Sequence, residues 1–172
     1  MRGGVERRAS EFRASGDGAT LQGVVVPYNM PATIGNFTER FEPGSIAFAD
    51  VIANVQHNRN RPLARTGGGG LSLEDSEREL RAAIELPDTA DGRDVRELVR
   101  RGVMRGLSAE FHVTRETWQG SQRTIHAATL TGVAIVDSGA YAGATVAEVR
   151  ENTAGVFELA GVHHGGRLWR YL

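Results

Sequence analysis

The chain has no cysteine, and none of its 20 basic residues is a lysine. Without cysteine there are no disulfides and no thiol catalysis, and the redox compartment stays open. Without lysine the Gly-x4-Gly-Lys-Ser/Thr phosphate loop cannot exist, so the glycine run at residues 66–70 reads as a hairpin tip. The all-arginine usage is read as codon bias rather than as an arginine-lined site for an acidic partner. Long apolar runs are also missing. None approaches the roughly 20 residues of a membrane-spanning helix, so no membrane partner is expected. Charge of one sign is lacking too: 20 basic residues meet 21 acidic ones, a net charge of -1. No bulk field draws the chain to nucleic acid or to a lipid surface. Residues 1–8 are charged with no apolar segment behind them. This argues against a secretory signal and for a protein used inside the cell. Aromatic residues are only 6% of the chain. Trp118, Trp169 and Tyr171 lack the interleaved basic pattern of a base-stacking platform and read as packing residues. His163 and His164 are adjacent, so on an extended chain they face opposite ways, with no further ligand at metal spacing. No metal and no cofactor is expected.

What is present suits one domain with a real core: 172 residues, 40% hydrophobic and 24% charged. Residues 1–18 are polar and charged and read as a flexible arm. Residues 19–151 form the domain, and residues 152–172, without clear period, a tail of uncertain order. Apolar alternation predicts strands over residues 20–28, 37–41, 51–57, 71–73, 80–86, 107–114 and 123–136. Ser45 could cap a single helical turn ending at Asp50. A helix is expected from a cap at Thr89 or Asp91 through Arg101, with Val95, Leu98 and Val99 as its apolar stripe and Gly102 as its stop. Residues 145–151 suit helix or strand. Many short strands and one or two helices predict a mainly β fold, a barrel or closed sheet with flanking helices.

Two residues stand out chemically. Ser108 follows Gly106 and Leu107 at the start of a strand, where the glycine permits close approach of backbone or substrate. His57 ends the row Val51, Ala53, Val55, His57, all on one face of the predicted strand. A histidine brought to a serine can take its proton and return it to a leaving amine.

These residues sit in an ordered series of short motifs. Glu39-Arg40-Phe41-Glu42-Pro43-Gly44-Ser45 comes first, then Val55-Gln56-His57-Asn58 and Pro62-Leu63-Ala64-Arg65-Thr66. Leu86-Pro87-Asp88-Thr89 with Gly92-Arg93-Asp94 follows, and Gly106-Leu107-Ser108-Ala109-Glu110-Phe111 closes the series. The series, over residues 20–146, resembles the prohead (head-maturation) proteases of tailed bacteriophages, which are similar in fold to herpesvirus assemblin. The resemblance implies an assemblin-like closed antiparallel β-barrel and a serine endopeptidase. Ser108 would be its nucleophile and His57 its general base. Its substrate would be a segment of the major capsid protein or scaffold, cut inside the assembling procapsid in the bacterial cytoplasm. Self-cleavage and a homodimer are further expectations of the likeness. Backbone N–H groups of Ala140 and Tyr141 would form the oxyanion hole, although a plain turn there fits the residues equally.

The third catalytic member is where the likeness departs. Phage relatives carry an acidic residue in a pattern like Leu-x-Glu-Val-Ser-x-Val. Here the segment reads Leu130-Thr131-Gly132-Val133-Ala134-Ile135-Val136, with Gly132 at the acidic position. Three readings follow. The enzyme runs on a Ser-His dyad; or Glu110, Asp137 or His126 takes the acidic role; or catalysis is lost and the chain serves as a capsid assembly partner. Strand parity puts Glu110 on the face of Ser108, yet its default reading is a solvent-facing strand carboxylate.

Overall fold

Strand-forming alternation dominates the chain, and the strands arrange themselves around the two longest. The computed structural model describes the backbone of residues 6–15, 19–137, 145–151 and 156–162, and the side chains of residues 19–137. In chain order the elements are β1 (Glu6–Ser15), β2 (Thr20–Pro27), β3 (Ala32–Ile34), β4 (Phe37–Phe41), β5 (Ile46–Ala47), β6 (Ile52–Val55), β7 (Asn58–Arg65), β8 (Leu71–Asp75) and β9 (Glu79–Glu85). Then come α1 (Ala90–Arg100), β10 (Gly106–Gln119), β11 (Gln122–Val136), β12 (Thr145–Glu151) and β13 (Val156–Val162). The expected mainly β fold with one helix is what forms.

The strand path runs β3-β4-β11-β10-β1-β2-β9-β8. Its ends, β3 and β8, do not pair with each other among the described residues, so the expected closed barrel is replaced by an open path. Nor is the sheet wholly antiparallel. β10 and β11 form a long antiparallel hairpin, but the other edge of β11 is lined in series by β4, β5 and β6, all parallel to it. Parallel pairing needs a long crossover, and the chain between β6 and β11 provides it.

Several local expectations are corrected. Residues 6–15 are not a loose arm: β1 lies between β10 and β2, paired to both, with Ala9 opposite Ser108. A polar strand gives little periodic signal, and it is fixed here by partners on two sides. Within the expected tail, β13 pairs with β12 and β1, which also makes residues 145–151 a strand. Ser45 caps no helix, because Ile46 and Ala47 pair with β11 instead. The helix forms as read, capped by Thr89, whose Oγ1 accepts from the backbone N–H of Gly92 at 3.2 Å. Val95 and Val99 are buried.

One core holds the layers together. It takes Leu107, Ala109 and Phe111 from β10, Val133 and Ile135 from β11, Ala53 and Val55 from β6, and Val95 and Val99 from α1. Phe111 and Phe41 meet edge-to-face at 5.2 Å between ring centroids. Because strand side chains alternate, the residues between these core positions face the other way. That second face carries Ser108 and Glu110 on β10, Gly132 and Ala134 on β11 and Asn54 on β6. Ala134 and Val136 join a small cluster there with Ala32 and Ile34.

Candidate active site

Register brings the second face together. Ser108 pairs with Ala134, which pairs with Asn54, giving one row across three strands. Glu110, Gly132 and Ile52 form the next row. A bulge follows at once, since Glu110 pairs with Gly132 but Phe111 with Leu130, leaving Thr131 extra. Such bulges re-aim side chains beside sites. The Thr131 hydroxyl donates to the Glu110 carbonyl oxygen at 3.2 Å.

His57 does not continue the inward row of β6. It sits with Gln56 in the two-residue turn between β6 and β7, where both have left-handed backbone, φ 52° for Gln56 and φ 58° for His57. Two-residue hairpin turns favour this conformation because it matches strand twist. For residues other than glycine it costs about 1–2 kcal/mol each. The turn carries the imidazole to the second face, where its Nδ1 lies 2.7 Å from Glu110 Oε1.

Glu110 is therefore not a solvent-facing carboxylate: its side chain is 2% exposed. Three groups approach it. The His57 Nδ1–H donates to Oε1, Asn54 Nδ2 reaches the same oxygen at 3.5 Å, and Arg59 Nη2 donates to Oε2 at 3.3 Å. Burial alone would push the Glu110 carboxyl up. The His57 hydrogen bond and charge, the Asn54 hydrogen bond and the Arg59 charge together outweigh it and hold the carboxyl below its ordinary value. With Nδ1 as the donor, a neutral imidazole keeps its lone pair on Nε2, the nitrogen a base must offer.

Space for that carboxylate comes from Gly132. A Cβ built there would stand 2.7 Å from Glu110 Oε2 and 3.1 Å from its Cδ. No side chain fits at 132 while Glu110 lies where it does.

Ser108 is fully buried, and among the described residues its Oγ has no hydrogen-bond partner; His57 Nε2 is likewise buried without one. The two are therefore not bonded to each other, although both stand on the Glu110 face. Ser108 and Glu110 are two residues apart on one strand, a span of about 7 Å. The other candidates lie elsewhere. Asp137 is exposed just past β11. His126 is engaged by Glu42 Oε2 at 2.8 Å from Nδ1 and by Thr117 Oγ1 at 2.8 Å from Nε2. Ala140, Tyr141, His163, His164, Trp169 and Tyr171 fall outside the described residues. Trp118 packs edge-on to Phe37 with ring centroids 5.0 Å apart, and the Arg123 guanidinium lies over its ring.

Asn54 and Arg59 were missed from the sequence. Asn54 interrupts the apolar stretch of β6, a signal for a buried polar role. Arg59 gives no local signal, since β7 departs from regular pairing between Asn58 and Pro62.

No curated protein and no solved structure matches the chain. A family model does, that of the caudovirus prohead serine proteases, over residues 4–157. The match takes in β1 together with Ser108, His57 and Glu110, and on that breadth the chain belongs to the caudovirus prohead serine protease family.

Proposed function

We propose that this chain is the endopeptidase that cuts capsid or scaffold protein during phage-like head maturation, inside the procapsid, with Ser108 as nucleophile and His57 as general base. The observation that carries the reading is the imidazole tethered through Nδ1 to a buried carboxylate. Among the described residues its Nε2 is left without a partner, on the face that also holds an unpartnered serine hydroxyl. Buried polar atoms normally find partners, so two orphans of complementary chemistry on one face support a site that a reacting group completes.

In this mechanism His57 Nε2 takes the proton of Ser108 as Oγ bonds to the peptide carbonyl carbon. The tetrahedral oxyanion would lie on backbone N–H groups, for which Ala140 and Tyr141 are the candidates. The C–N bond then breaks, and the Nε2 proton passes to the leaving amine. Water attacks the acyl ester by the same route, giving its proton to His57 and restoring the serine hydroxyl. Ser108 must turn toward the imidazole when substrate enters, a common difference between free and loaded sites.

The test incubates the purified chain with its capsid protein beside a Ser108→Ala variant. Cleavage by the parent chain and none by the variant is expected. Cleavage by both overturns Ser108. Cleavage by neither, with capsid protein still bound, leaves the non-cutting assembly partner as the function.

A further inference from the structure

We infer that Glu110 is the positioning residue for His57, and that Gly132 acts with it as the empty half of a single carboxylate slot shared by β10 and β11. The inference rests on the Ser108–His57 reading above and adds the group that fixes the base.

Residues 110 and 132 are direct cross-strand partners. Directly opposed residues have Cβ positions about 5 Å apart, so side chains entering from either strand compete for one volume. Here the volume belongs to Glu110. Its Oε2 would lie 2.7 Å from any Cβ at 132, far inside contact distance, and the Ile52 carbonyl oxygen, 3.4 Å away, closes the other side. The carboxylate is the movable end of a flexible side chain, held where it stands by the bonds of Oε1 to His57 and of Oε2 to Arg59, so it is the group that gives way. A side chain at 132 therefore displaces the carboxylate from the imidazole without touching His57 or Ser108.

Loss of the carboxylate leaves Nδ1–H without its acceptor. The imidazole can then adopt the other tautomer or swing away, so the nitrogen facing the serine no longer carries the lone pair. In a comparable arrangement the wrong tautomer costs about 10⁴-fold in turnover. Asn54 and Arg59 hold the carboxylate rather than the imidazole, so they act one step further out.

The experiment is a double-mutant cycle on the full chain with Glu110→Ala, Gly132→Ala and both together. It measures kcat and KM on capsid protein and the proton resonance of His57 Nδ1–H. Each single variant is expected to lower kcat at least 100-fold with KM little changed, and to lose the resonance. The double variant should match Glu110→Ala alone, since a methyl at 132 costs nothing once the carboxylate is gone. A Glu110→Ala, Gly132→Glu chain, which refills the slot from the opposite strand, should regain at least tenfold in kcat and recover the resonance. If Gly132→Ala does not fold, the Glu110→Ala, Gly132→Glu chain decides the shared slot and Glu110→Gln, equal in size, decides the positioning role. An equal cost of Gly132→Ala with and without Glu110 overturns the inference. So do single variants that keep wild-type kcat and resonance. If the parent chain cuts nothing, the protease reading fails, and the resonance alone still decides whether 110 and 132 share the slot.

Discussion

Glu110 of β10 and Gly132 of β11 stand opposite each other, and the carboxylate of one occupies the volume where the other would carry a side chain. On the inference drawn above, the glycine at the position where the resemblance expects an acid is not a gap in the site but the room left for Glu110 to enter from the neighbouring strand. A buried carboxylate is expensive to desolvate unless it is paired, and the pairing with His57, Asn54 and Arg59 makes its ionised form the favoured one.

That preference has a pH signature. The Glu110 carboxyl is held below its ordinary value of 4.5 in the folded chain. Between that value and the lower folded one the unfolded chain binds more protons. Stability from Glu110 is therefore fully present above 4.5 and is lost as pH falls through the folded value. Urea midpoints of the parent chain and Glu110→Gln should differ most near pH 7 and converge under acid. A gap that stays constant down to pH 3 would contradict the pairing.

How much of this was legible in the sequence depended on which interactions fix each element. The strand at residues 80–86 and the Thr89-capped helix were readable because their periods are local and their partners apolar. Strand parity alone put Ser108 and Glu110 on one face. The burial of Glu110 could not be read, because it depends on residues 54, 57, 59 and 132 meeting it from other strands. His57 misled for a different reason: apolar alternation carried the strand two residues too far, past a turn that neither Gln56 nor His57 signals by type. β1 was missed because a polar segment becomes a strand only through what flanks it. Closure of the barrel, expected from the many short strands as well as from the likeness, depends on which edge strands meet, and no local signal reports that.

The same turn yields a stability prediction. Gln56 holds φ 52° without the freedom of glycine. Gln56→Gly should remove that strain and stabilise the chain by up to about 1 kcal/mol, less what the extra freedom of the unfolded chain takes back. Thermal unfolding reads the difference, and a lowered Tm would mean that the Gln56 side chain contributes more than its backbone costs.

A second buried charge cluster lies at the far end of the β10–β11 hairpin. Arg123 Nη1 donates to Glu39 Oε2 at 2.7 Å, with side chains 8% and 1% exposed, and its Nε and Nη2 reach Glu116, whose carboxylate stays partly in solvent. Removing one partner of such a pair destabilises by about 3–5 kcal/mol, whereas replacing both with apolar groups is often neutral. Arg123→Met should fall in that range by urea denaturation, and Glu39→Leu with Arg123→Met should recover most of it. A double variant no better than the single would mean that Glu39 is held mainly by its other neighbours.

The proposed roles of Ser108 and His57 can be separated from simple packing by asking whether their losses add. Two residues that pack independently contribute independent costs, so a double variant is worse than either single one. A nucleophile and its base act on one proton, and once either is gone the other has nothing left to do. Ser108→Ala and His57→Ala should each lower kcat by a similar factor, on the order of 10⁶ where the uncatalysed background allows it to be read. The double variant should be no slower than the worse single. Residual cleavage that drops by a further large factor in the double variant would mean the two side chains work at separate steps, and the shared proton would have to be abandoned.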